Sequence, residues 1–149
     1  MKRIFALVIS ISLWNCVVLA TDVKVEAFMT TTLDGEPVTS FAADTRVLHA
    51  MFKTKGAKNG DKIRVVWIAD DVGEAAPKRY KIHEAAVTAE GDTDDGEFTL
   101  EKSGDWPRGD YHIEIYVNDE LAAQVKFTIK PPKWGKQAEG KEEEGSSKQ

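Results

Sequence analysis

The chain of 149 residues holds one cysteine, Cys16, and it stands in the N-terminal leader. A disulfide framework is therefore excluded, as are thiolate metal sites and a cysteine nucleophile in the chain beyond it. Histidine is scarce: His49, His83 and His112 are the only three, and none has a His-x-x-x-His or Glu-x-x-His spacing. A shared zinc or copper site would require the fold to bring them together. Between residues 21 and 130 serine occurs only at Ser40 and Ser103, and there is no Gly-x-Ser-x-Gly elbow. A basic excess is also missing. Lys and Arg number 20 against 25 Asp and Glu, for a net charge of −5, and no predicted strand carries a basic stripe. That argues against a counterion-release grip on nucleic acid and against attraction to anionic lipid. No heptad, sustained 3.6-residue stripe or internal repeat is visible. The expectation is a chain with no cofactor and no enzymatic activity.

What is present begins with an export signal. Met1-Lys2-Arg3 is a short basic start, residues 4–13 are mostly apolar, and Val18-Leu19-Ala20 precedes Thr21. This is the pattern of a secretory signal peptide cleaved between Ala20 and Thr21. The run falls short of the roughly 20 apolar residues that span a bilayer, and Ser10, Ser12 and Asn15 dilute it. No stable membrane insertion is expected after cleavage. Lipid anchoring through Cys16 would want small residues before it, where Trp14 and Asn15 stand instead. The expected location is outside the inner membrane, periplasmic or extracellular.

Period-two alternation dominates the rest, as it does in half-buried strands. Tyr111, Ile113, Ile115 and Val117 alternate with His112, Glu114 and Tyr116. After the Asn118-Asp119-Glu120 turn, Ala123, Val125, Phe127 and Ile129 alternate with Gln124, Lys126 and Thr128. Further strands are predicted at residues 23–33, 46–53, 62–69, 79–89 and 97–101, although Glu84-Ala85-Ala86 also suits a helical turn, and residues 38–44 read as irregular, with Phe41 plugging the core edge. Residues 62–69 are apolar on both faces, Ile63, Val65 and Trp67 on one, Val66 and Ile68 on the other, which marks a central strand. About seven short strands separated by turns predict an all-β, antiparallel two-sheet sandwich, with a closed barrel as the lesser alternative. The division is signal peptide 1–20, one sandwich domain 21–130 and a charged tail 131–149. Pro131-Pro132 ends the last strand. The tail beyond has four lysines, four glutamates and one large apolar residue, Trp134, too little to offset ordering entropy, so it is expected to be disordered.

Two features resemble the immunoglobulin-like and fibronectin-type-III-like superfamily. Trp67 sits centrally in a middle strand, and Pro107-Arg108-Gly109-Asp110-Tyr111 resembles the approach to a tyrosine corner. With Phe41, Asp44, Gly60 and Trp106-Pro107, the pattern is similar to single Ig-like modules of exported bacterial proteins. It covers most of residues 22–130 and lacks the cysteine pair of antibody-type domains. The resemblance implies a core tryptophan at Trp67 and a Tyr111 hydroxyl bonded back to nearby backbone. Tyr111, Ile113, Ile115 and Phe127 join Trp67 in the expected core. A fold of this kind carries no function by itself.

The leading functional expectation is a non-enzymatic exported module that works by protein–protein contact, with an unidentified partner or by self-association. His112, Glu114 and Tyr116 stand on the candidate face, at outward strand positions, beside Val66 and Ile68. An exposed apolar patch there would imply a partner. The alternative is a carbohydrate-binding module of the cell envelope, with Trp106 and Tyr116 as glycan platforms. A third is a calcium-stabilised adhesion-type domain. Asp92, Asp94 and Asp95 offer oxygen ligands in an acidic turn, but Asp95 stands where an EF-hand loop needs glycine.

Overall fold

The computed structural model describes residues 22–132. The predicted leader with Cys16 and Ala20, Thr21 just beyond its expected cleavage point, and the tail residues with Trp134 lie outside them. Among the described residues there are eight strands: β1 (Lys24–Thr30), β2 (Ser40–Ala42), β3 (Val47–Lys55), β4 (Lys62–Asp71), β5 (Tyr80–Thr88), β6 (Asp95–Glu101), β7 (Gly109–Val117) and β8 (Glu120–Lys130). Among the described residues the one helical piece is a 3-10 turn at Gly73–Ala75. One sheet has the order β1-β3-β6 and the other β2-β8-β7-β4-β5.

Alternation explains the layering. Leu48, Ala50 and Phe52 of β3 meet Ile63, Val65 and Trp67 of β4 and Tyr111, Ile113 and Ile115 of β7 in one apolar core between the sheets. Phe127 is its aromatic hub, stacked on Tyr111 at 5.4 Å and edge-on to Phe41 at 5.5 Å and to Trp67 at 6.5 Å. β4 lies between β5 and β7, the place its two apolar faces predict.

The structure departs from the sequence reading in three places. Residues 40–42 form an eighth strand, and it pairs parallel to β8, Ser40 opposite Thr128, so the sandwich is not wholly antiparallel. Three residues are too few to display a period. β1 stops at Thr30 and not near Leu33, because the Thr30 hydroxyl donates to the Thr32 carbonyl at 2.7 Å and accepts the Thr32 N–H at 3.2 Å. Such local bonds replace the ladder. β4 continues to Asp71 by shifting register beyond Ala69.

Two backbone devices set β7. Asn118 and Asp119, at φ 48° and 67°, make the two-residue hairpin turn into β8 whose twist suits paired strands. At its other end Gly109 has φ 147° and lies against β4, where an added Cβ would stand 2.0 Å from the Asp71 carbonyl oxygen. Just beyond, the Tyr111 hydroxyl donates to the Pro107 carbonyl at 2.6 Å, a tyrosine corner. Burial pushes the Tyr111 hydroxyl pKa up to about 12.

Candidate functional site

The outer face of the five-stranded sheet differs from an ordinary solvated face. Val66 and Ile68 are 6 % and 8 % exposed there, so the expected apolar patch is not open to a partner. His112, expected at the surface, is 2 % exposed. Its strand position is outward, but β7 is flanked by β8 and β4, and the ring lies against Asp70 and Glu114.

The cover is a continuous polar chain. His112 Nδ1 lies 2.7 Å from Asp70 Oδ2, and His112 Nε2 lies 3.1 Å from Glu114 Oε1. Tyr116 donates its hydroxyl to Glu114 Oε2 at 2.6 Å. The Arg64 guanidinium lies 4.4 Å above the Tyr116 ring and reaches Glu84 at 3.6 Å and Asp119 at 3.4 Å. Residues of β4, β5, β7 and the hairpin turn are thereby linked across the face.

The Tyr116 hydrogen bond is the main cause that holds the Glu114 carboxyl below its ordinary 4.5, against burial, with His112 adding to it. The same bond raises the Tyr116 hydroxyl pKa. A depressed carboxylate stabilises the fold above its unfolded-state pKa, and the contribution is lost as pH falls through the folded value. Tyr116→Phe is therefore expected to lower the urea midpoint at pH 7, and the difference from the parent protein is expected to shrink as the pH is lowered through the folded-state pKa of Glu114. A difference that stays constant with pH would dissociate Glu114 from the effect.

Beside this chain an open groove of about 660 Å³ crosses the sheet. Asp70, Asp110 and His112 line it from β4 and β7, Arg79 from the β4–β5 connection, and Gln124 and Lys126 from β8. His112 pairs across the ladder with Lys126 and Ile68. Asp70, Arg79, Gln124 and Lys126 were not singled out from the sequence. Their convergence depends on register, with shifts in β4 beyond Ala69 and between Ile115 and Tyr116 in β7.

The other expected site residues are placed elsewhere. Trp106 is 5 % exposed. Its indole N–H donates to the Thr45 carbonyl at 2.7 Å and its backbone N–H to Ala43 at 2.8 Å, pinning the β6–β7 connection to the β2–β3 connection. This ring is no glycan platform, and the Tyr116 ring has Arg64 over its face. In the acidic turn, the Asp92 carbonyl accepts the Gly56 and Ala57 N–H groups, and Asp94 exchanges hydrogen bonds with the Thr54 hydroxyl. Asp95 begins β6 opposite Lys53. Among the described residues no three acidic, histidine or cysteine side chains are gathered for a metal. The three histidines stay apart: His49 contacts Glu97 in the three-stranded sheet, His83 is exposed on β5, and His112 is in the network.

Strand order, the parallel β2–β8 pair and the tyrosine corner define an Ig-like β-sandwich. No family model and no curated protein matches the sequence. Among solved structures, an immunoglobulin-like protein of Pseudomonas aeruginosa is similar, with 15% identity over 73% of this chain and 97% of that one, at TM-score 0.47. A Listeria innocua β-glucosidase in complex with glucose is similar at 11% identity over 74% of this chain, at TM-score 0.50. So is a Pseudomonas fluorescens alkylpurine DNA glycosylase bound to DNA containing an abasic site analog, at 14% identity over 73% of this chain and TM-score 0.47. This chain spans 16% of the glucosidase and 30% of the DNA glycosylase.

Proposed function

We propose that this chain is a non-enzymatic, exported Ig-like interaction module that engages a protein partner through the groove on the five-stranded sheet. The observation that carries the reading is the groove itself, about 660 Å³ of open, charge-lined surface on a rigid sheet. Sites held on strands by supporting hydrogen bonds are preorganised for recognition. The chemistry favours binding over turnover. Both ring nitrogens of His112 are engaged by carboxylates of this chain, Asp70 and Glu114.

Site-specific photocrosslinking in the native host tests this. A benzophenone side chain at Gln124, on the groove, is expected to give one discrete protein adduct. The same group at Thr99, exposed on the other sheet, is expected to give none. Mass spectrometry of the adduct tells a second copy of this chain from a different protein. No adduct from Gln124, or equal yields from both positions, would overturn the proposal.

A further inference from the structure

We infer that the partner's recognised chemistry is carboxylate: an acidic, extended peptide segment whose side chains seat between Arg79 and Lys126. This rests on the groove being the interaction site and adds what the site selects. Asp70, which lines the groove, and Glu114 beside it spend oxygens on His112. The groove is left with the Arg79 guanidinium, the Lys126 ammonium, the Gln124 amide and the Thr39 and Thr128 hydroxyls as donors. Among the described residues neither cation is in direct contact with a carboxylate, and Arg79 acts on Glu114 only from farther off, as the least of the influences on it. Asp110 also lines the groove, one same-face step from His112 along β7.

Arg79 supplies a second, independent observation. Its φ is 57°, a left-handed conformation that costs a non-glycine residue energy and gathers at functional positions. Asn118 and Asp119 share the sign because a tight hairpin requires it. Arg79 lies in the longer β4–β5 connection, its N–H donating to the Asp70 carbonyl at 3.0 Å, and glycine would serve the backbone better. Retaining arginine there places a fork-shaped donor, suited to carboxylates, over the groove. Two cations on a chain of net charge −5 match one or two carboxylates. A phosphate lattice or an anionic bilayer needs a wider basic surface.

The probe is an octapeptide alternating glycine and glutamate, blocked at both ends, titrated into the ¹⁵N-labelled protein. Expected are amide shifts at Arg79, Gln124, Lys126 and Thr128 that vanish in about 0.5 M salt. The glycine–lysine counterpart is expected to leave them unmoved. Arg79→Gly and Lys126→Gln are each expected to weaken binding at least about tenfold, and Lys55→Gln to leave it unchanged. Arg79→Gly also separates binding from folding, since relief of the backbone is expected to keep or raise the melting temperature. Unchanged affinity in both variants, shifts centred on Lys24 and Lys55, or stronger binding to a sulfated saccharide or to phosphatidylglycerol vesicles would overturn the inference. A Gln124 crosslink that persists in Arg79→Gly would overturn it while leaving the groove as the interaction site.

Discussion

Trp67→Ala is expected to destabilise the domain by about 3–5 kcal/mol, a large part of the stability of a chain this size. Trp67 is 1 % exposed and lies mid-strand in β4, opposite Ile113 on β7 and His83 on β5. Its ring fills the space between the sheets beside Phe127, and no disulfide spans the described core to limit the damage. The urea midpoint should fall with an unchanged slope, because the surface exposed on unfolding is nearly the same. Trp67→Phe gives a sharper test of cause. Among the described residues the indole N–H is buried without a partner, so phenylalanine loses ring area but also removes an unsatisfied donor whose burial costs about 1–3 kcal/mol. The loss should then be well below that of alanine. An unmoved midpoint in Trp67→Ala would overturn its role as the central packing element.

The second large effect is expected at Gly109, where one methyl group meets two penalties. Its φ of 147° strains any side chain, and the new Cβ would lie 2.0 Å from the Asp71 carbonyl oxygen, a backbone atom that cannot swing aside. Strain and overpacking, about 1–3 kcal/mol each, together give about 2–6 kcal/mol for Gly109→Ala. The melting temperature should drop by more than about 10 °C. Gly60→Ala is the control. Gly60 also has positive φ, 96°, but nothing lies within 4 Å of its added Cβ, so it should cost about 1 kcal/mol. Equal losses at the two glycines would show that the close approach of β7 to β4 contributes nothing.

Layering was legible in the sequence because burial imposes it. Alternation along residues 111–117, and the doubly apolar stretch at residues 62–69, follow from which side of a strand meets the core, and β7 and β4 occupy those places. β2 was not legible, since it is a strand only through what it pairs with. The site was less legible still. Alternation puts His112, Glu114 and Tyr116 on the outer face, but it does not reveal that a central strand there is covered. The tight Asn118–Asp119 turn, extended without interruption, would set His112 opposite Val125. The register shift between Ile115 and Tyr116 brings Lys126 opposite instead. Asp70 and Arg79 reach the same place through an irregular end of β4 and a left-handed residue. None of these offsets has a compositional signature, so a groove built from them is visible only in three dimensions.

Among the described strands β8 comes last in the sequence, yet it lies inside its sheet, between β7 and β2. Without it β2 has no neighbour in that sheet and β7 keeps one flank bare. The five-stranded layer therefore closes only when its final described strand docks, so an early, partly folded species would expose two unpaired ladders at once.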